Sequence, residues 1–279
     1  MGDYRIFART IINMKIAFAL LTASILFASC DGNKEEETDP PTVKPVSSSV
    51  KNIAYSIIAQ YPHDTASYTE GLELYKGKLY ESGGDYTNSA LQYGDLKTGK
   101  LDKKNKMGTD KIFGEGITIL KGKIYQLTYT TNVVYVYDVN DITRITKTFN
   151  WPYEGWGMTN NGTDLIVSTG SADIYFVDPE TFTIKSTVHV HDDNGPVNNI
   201  NELEYVNGMV WANIYTTNDI VQIDPATGAI KGKMNFSSLP GADVTPRSEV
   251  MNGIAYDSTS KSFLVTGKRW AKIYELKLN

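Results

Sequence analysis

The chain of 279 residues carries 27 Lys and Arg against 32 Asp and Glu, a formal charge of −5, with one Cys and three His. A mildly acidic surface lacks the basic footprint of a nucleic-acid binder, and a single Cys excludes an internal disulfide framework and any Cys-rich zinc site. With 41% hydrophobic residues and 18 Tyr, the composition is that of a globular protein long enough to bury a core.

From Ile16 to Ala28 runs a thirteen-residue apolar stretch, preceded by Lys15 and followed by Ser29-Cys30. It is too short to span a bilayer comfortably and has the size of a signal-peptide core. Leu26-Phe27-Ala28-Ser29-Cys30 resembles a bacterial lipobox, which makes residues 1–30 a signal peptide and Cys30 the lipidated first residue of the mature chain. The expected location is therefore the cell envelope, on the periplasmic or surface face of an outer membrane, with membrane contact only through the lipid. Met14-Lys15 makes the better signal start, so residues 1–13 read as a start-site artefact. Residues 31–50 are charged, then Pro-rich, then Ser-rich, and read as a disordered tether. Within them Lys34-Glu35-Glu36-Glu37 resembles an acidic export signal of surface lipoproteins.

From residue 51 onward the chain reads as short strands rich in β-branched and aromatic residues, such as Val133–Tyr137 and Asp173–Val177, punctuated by turns such as Asp224-Pro225-Ala226-Thr227-Gly228. Glu70-Gly71-Leu72, Glu115-Gly116-Ile117, Trp156-Gly157-Met158, Asn201-Glu202-Leu203 and Asn252-Gly253-Ile254 open five repeating units, spaced 45, 41, 45 and 51 residues apart. Each is followed by a second strand whose end, at Gly84, Tyr129, Gly170, Tyr215 or Lys268, lies 14 to 16 residues beyond the start. Strand repeats of this length indicate propeller blades, so residues 51–279 are predicted to form an all-β, five-bladed β-propeller of roughly 46 residues per blade. The last unit has room for three strands only. Ile53–Ile58 is expected to supply its outer strand, closing the ring and covering an open edge.

Equivalent positions of a propeller form rings around its axis. Glu70, Glu115, Trp156, Asn201 and Asn252 then meet at one mouth, beside a second ring holding Tyr129, Tyr215 and Lys268, while Tyr68 and Phe113 precede their acids by two and share their side. The glycines after the unit starts are read as sites of close strand approach. The three His, His63, His189 and His191, lie outside the rings; His189-Val190-His191-Asp192-Asp193 lacks a third metal ligand at a recognisable spacing, and a solvated strand end is the favoured reading. No phosphate loop, nucleophile elbow or zinc-protease motif is present. What remains is carboxylate acid/base chemistry with Asn and Lys as donors, without metal or cofactor.

Phe113-Gly114-Glu115-Gly116-Ile117-Thr118, Glu154-Gly155-Trp156-Gly157-Met158-Thr159, Asn201-Glu202-Leu203-Glu204-Tyr205, Asn252-Gly253-Ile254-Ala255-Tyr256 and Val265-Thr266-Gly267-Lys268 together resemble the plant-type and bacterial glutaminyl-peptide cyclotransferases. The resemblance implies a metal-independent five-bladed propeller that converts N-terminal Gln of peptides or proteins to pyroglutamate with release of ammonia. It assigns Glu115 as acid/base and Asn201 and Lys268 to substrate binding and oxyanion stabilisation. Trp156, Phe113 and Tyr129 become aromatic walls, with Tyr68, Glu70, Tyr215 and Asn252 as further substrate contacts. Glu70 stands where the plant enzymes have Gln, Tyr68 where the family often has Phe, and Tyr129 and Tyr215 stand for expected Trp. Trp270-Ala271 replaces Trp-Pro. A non-catalytic peptide-binding propeller of the cell envelope is the competing expectation.

Overall fold

Three of the five repeats begin with a hairpin closed by two residues of positive φ: Lys76-Gly77 at 49° and 74°, Lys121-Gly122 at 51° and 78°, and Asn207-Gly208 at 52° and 85°. Paired positive φ values give a turn whose twist matches that of the flanking strands. The computed structural model describes residues 50–107, 110–239 and 247–279; the expectations for residues 1–49, including lipidation at Cys30, lie outside the described residues. Val50, assigned above to the tether, already packs against the fold.

The hairpins grow into five antiparallel blades. Blade 1 is Thr69–Tyr75, Lys78–Gly83, Ala90–Gly94 and Leu101–Lys106. Blade 2 is Gly114–Leu120, Lys123–Thr128, Val133–Asp138 and Asp141–Asn150. Blade 3 is Met158–Asn160, Leu165–Ser168, Asp173–Val177 and Ile184–His189. Blade 4 is Ile200–Val206, Met209–Ile214, Asp219–Ile223 and Ile230–Asn235. Blade 5 has Met251–Asp257, Ser262–Gly267 and Lys272–Leu278. The first strand of each blade lies against the first strand of the next, around to blade 1.

Tyr55–Pro62 forms the outer strand of blade 5, pairing antiparallel from Tyr55 opposite Leu278 to Pro62 opposite Lys272, with a bulge between Ile57 and Ala59. The expected closing strand is present, shifted toward the C-terminus. Its upstream neighbours are used elsewhere: Lys51–Asn52 pairs parallel with the outer strand of blade 4, and Ile53 N–H donates to Lys233 O at 2.8 Å. The N-terminal segment thus fastens two blades.

Five apolar clusters fill the five spaces between blades, as strands buried on both faces require. Leu91, Ile117 and Tyr137 join blades 1 and 2; Leu127, Met158 and Val167 join 2 and 3; Ile166, Leu203 and Val210 join 3 and 4; Trp211, Ile254 and Phe263 join 4 and 5. The cluster between blades 5 and 1 has the fewest buried members: Leu72, Leu79, Ala255, Leu264 and Ile273.

Close to the axis, Gly71 approaches Ile117 N so closely that a Cβ there would sit 2.5 Å away, and Gly116 does the same to Met158 N. In blade 4 the corresponding residue is Glu202, fully buried, whose carboxylate accepts the Leu72 and Ile254 N–H groups at 3.1 and 2.7 Å. Its side chain therefore crosses the axis to tie blades 1 and 5.

A polar network compensates for the small apolar cluster at the closure. His63, just after the closing strand, places Nε2 3.0 Å from Glu81 Oε1 of blade 1 and Nδ1 2.8 Å from Trp270 O. Glu81 also accepts Ser67 Oγ at 2.6 Å, Thr69 Oγ1 at 2.7 Å and Gln92 Nε2 at 2.8 Å. Burial works against both charges, but the mutual attraction and these donors outweigh it. His63 is raised above its ordinary 6.5, and Glu81 is pulled down to about 2. The Glu81 contribution is complete above pH 4.5 and is lost as pH falls through about 2; the His63 contribution is complete below 6.5 and is lost as pH rises through its raised value. Glu81→Gln, which strands one partner of a buried pair, should lower unfolding free energy by about 3–5 kcal/mol. Urea unfolding should show the largest deficit between pH 4.5 and 6.5, shrinking at higher pH.

Candidate active site

The second-strand ends and the unit starts meet at one mouth of the propeller and line a cavity of about 210 Å³. Pockets for drug-sized ligands measure about 300–1,000 Å³, so this smaller space suits a group of about side-chain size. Blade 1 contributes Tyr68, Glu70 and Tyr86, blade 2 Phe113, Glu115 and Tyr129, and blade 3 Trp156; blade 4 gives Asn201 and Tyr215, and blade 5 gives Lys268.

Two glycines of the second ring make room for the aromatic walls. A Cβ on Gly84 would run into the Phe113 ring, and one on Gly170, at φ 75°, would sit 2.6 Å from the Trp156 indole. Phe113 is the hub of the apolar wall, with ring centroids 6.0 Å from Tyr68, 5.2 Å from Tyr86 and 6.0 Å from Tyr129. Trp156 meets Tyr215 edge-on at 5.5 Å.

The polar floor is buried: Glu70 is 2% exposed, Glu115 6%, Asn201 3% and Lys268 4%. Lys268 Nζ donates to Glu70 Oε1 at 2.5 Å and lies over the Tyr68 and Tyr215 rings at 4.5 and 5.2 Å from their centroids. Glu70 and Glu115 both line the cavity floor and bear on each other electrostatically. Burial drives both carboxyls above their ordinary range, and Lys268 pulls both back. Because Lys268 contacts Glu70 directly, burial raises Glu70 only to about 7. Glu115, buried and facing the Glu70 carboxyl, is held well above the ordinary carboxylate range. Asn201 Oδ1 is buried without a hydrogen-bond partner, the condition of an acceptor kept for a ligand N–H.

Nine of the ten residues assigned to the site from sequence line this cavity. Asn252 stands behind it, fully buried, its Nδ2 donating to Thr69 O at 3.0 Å and Glu70 Oε2 at 3.3 Å. It holds Glu70 from behind. Tyr86 was missed because ring arithmetic stops at strand ends, and Tyr86 lies on the loop beyond Gly84. Glu154 was read only as part of a motif; its Oε2 accepts Trp156 Nε1 at 3.2 Å, steadying that wall, and its carboxylate helps raise the Tyr129 hydroxyl, behind the larger effect of burial. His189 pairs with Asp173 at 2.5 Å on the outer strand of blade 3, while His191 belongs to a separate short hairpin.

The family model described as glutamine cyclotransferase matches residues 21–278. The chain belongs to this family. A glutaminyl-peptide cyclotransferase of Arabidopsis thaliana is 35% identical over 227 residues, spanning 80% of this chain and 70% of the relative. The crystal structure of Myxococcus xanthus glutaminyl cyclase superposes with a TM-score of 0.76 at 32% identity, covering 82% of this chain and 98% of that one. In this cyclotransferase-family protein the ring of unit starts is thus the floor of a closed-in cavity, and the second ring is its wall.

Gly84→Ala should overpack the Phe113 wall and cost about 1–3 kcal/mol of stability. Urea unfolding checks this value. A variant as stable as the parent would show that Phe113 can move aside freely.

Proposed function

We propose that the protein is a glutaminyl-peptide cyclotransferase, an aminoacyltransferase-type enzyme that closes N-terminal Gln of peptides or proteins to pyroglutamate and releases ammonia by carboxylate acid/base catalysis. The observation that carries the reading is Glu115: a buried carboxyl, held well above its ordinary range, in a cavity of about 210 Å³ walled by aromatic rings. Family membership supports the reaction class.

The reacting groups are both supplied by the substrate. Its α-amine attacks the γ-carbonyl of the same residue, so the protein must hold the folded near-attack conformer and manage protons. Phe113, Trp156 and Tyr129 confine the methylenes, and Asn201 Oδ1 accepts an N–H of the bound terminus. As the tetrahedral oxyanion collapses, Glu115 donates its proton to the departing nitrogen, which leaves as ammonia. An α-amine has an ordinary pKa of roughly 7.7–8, so a usable fraction is neutral near pH 7.

The lipobox-like segment ahead of Cys30 supports attachment of this enzyme to the cell envelope by a lipid. The catalytic reading is tested with a coupled ammonia assay on several Gln-initiated peptides. The parent protein should turn over, and Glu115→Gln should lower kcat by about 10²–10⁴-fold, the usual weight of a general acid/base, while circular dichroism and melting stay native-like. Peptide binding without turnover by the parent would replace catalysis with recognition.

A further inference from the structure

We propose that Tyr86 is a specificity-determining residue: a fixed aromatic lip that receives the side chain of the substrate's second residue and favours an aromatic or aliphatic group there. The inference rests on the cyclotransferase reading and deepens it.

Size supplies the first step. A cavity of about 210 Å³ takes a group of about side-chain size, so with the glutaminyl residue inside, the residue that follows it lies at the mouth. Nine of the ten lining residues are buried or half-buried; Tyr86 is the exposed one, at 45%. Its ring meets Phe113 at 67° with centroids 5.2 Å apart, so the apolar wall continues from Phe113 through Tyr86 to the surface. An aromatic face is therefore what a second side chain meets on that side of the mouth.

The loop that carries Tyr86 is built to hold it still. Asp85 stands at φ 90°, a conformation that a non-glycine residue keeps only where its surroundings fix it. Its Oδ1 accepts Thr87 N–H at 2.9 Å, and its carbonyl accepts Ser89 N–H and Ser89 Oγ–H, each at 2.7 Å. Ser89 Oγ in turn accepts Gly114 N–H at 3.0 Å, which ties the loop to the residue after Phe113. From blade 5, Arg269 places Nη2 3.4 Å from Asp85 Oδ2 and Nε 3.7 Å from Glu249 Oε1. A single exposed aromatic on a surface needs no explanation, but this one prolongs a cavity wall and is braced from blades 2 and 5. A ring held in place loses little freedom when a ligand packs on it.

The second residue takes no part in making or breaking bonds, so its contact is the same in the bound substrate and in the transition state. It should therefore act on KM and leave kcat similar between peptides. An aromatic pair of this kind is worth about two- to tenfold in affinity.

The test is ammonia release from Gln-Phe, Gln-Leu and Gln-Gly peptides of otherwise equal sequence, by the parent, Tyr86→Phe and Tyr86→Ala. The quantity read is the ratio of kcat/KM between peptides within each protein, in which any general change in activity cancels. The parent should favour Gln-Phe over Gln-Gly by up to about tenfold through KM, with Gln-Leu between them. Tyr86→Phe should keep that ratio, and Tyr86→Ala should bring it close to one. A parent that does not discriminate, a preference carried by kcat, or a parental ratio surviving in Tyr86→Ala would overturn the assignment. If the parent releases ammonia from none of the peptides, the cyclotransferase reading fails. Calorimetric affinities of the same peptides for the parent and Tyr86→Ala then decide the lip separately, and equal affinity of the parent for Gln-Phe and Gln-Gly overturns it.

Discussion

Everything at the mouth of the propeller depends on how the ring is closed between blades 5 and 1. That interface has the smallest apolar cluster of the five, and its cohesion is supplied by a buried charge pair, His63 with Glu81, surrounded by hydroxyl and amide donors. The chain leading into blade 1 serves two purposes at once. Ser67 and Thr69 turn to the lock, and the alternate residues Tyr68 and Glu70 turn to the cavity. Lys268 of blade 5 reaches Glu70 of blade 1 across the same junction. A loosened closure would therefore separate the cation from its carboxylate before it unfolded a blade.

Two buried carboxylates with opposite behaviour show how partners, rather than depth, set acidity. Glu81 and Glu115 are both nearly inaccessible. Glu81 is met by an imidazolium, two hydroxyls and an amide, and it stays charged at any ordinary pH. Glu115 is met by another carboxyl and is held well above the ordinary carboxylate range. The first arrangement fixes a structure; the second leaves a carboxyl that binds its proton more tightly than usual.

Much of the architecture was legible because a propeller repeats. The near-constant spacing between unit start and second-strand end is a property of one hairpin, so it is written locally and can be counted. That spacing located Glu115, Tyr129, Trp156, Asn201, Tyr215 and Lys268 in one cavity. Features made between blades were less accessible. Nothing local pairs His63 with Glu81, or reveals that Lys51–Asn52 leaves the closing strand to cover blade 4. Asn252 lies in the expected ring, but its side chain turns to Thr69 and Glu70 behind the cavity, because ring position does not report how far a side chain reaches. Tyr86 arrives from a loop whose path no strand period describes.

Glu202 gives the centre of the ring a fastening of its own. Where blades 1, 2, 3 and 5 carry glycine near the axis, blade 4 places a carboxylate that reaches across to the backbone of blades 1 and 5. One side chain of blade 4 thus holds the backbone of two other blades near the axis. The blade that departs from glycine here is therefore the one that sets the spacing of its neighbours, so the ring of unit starts is gripped by a side chain as well as by close backbone packing.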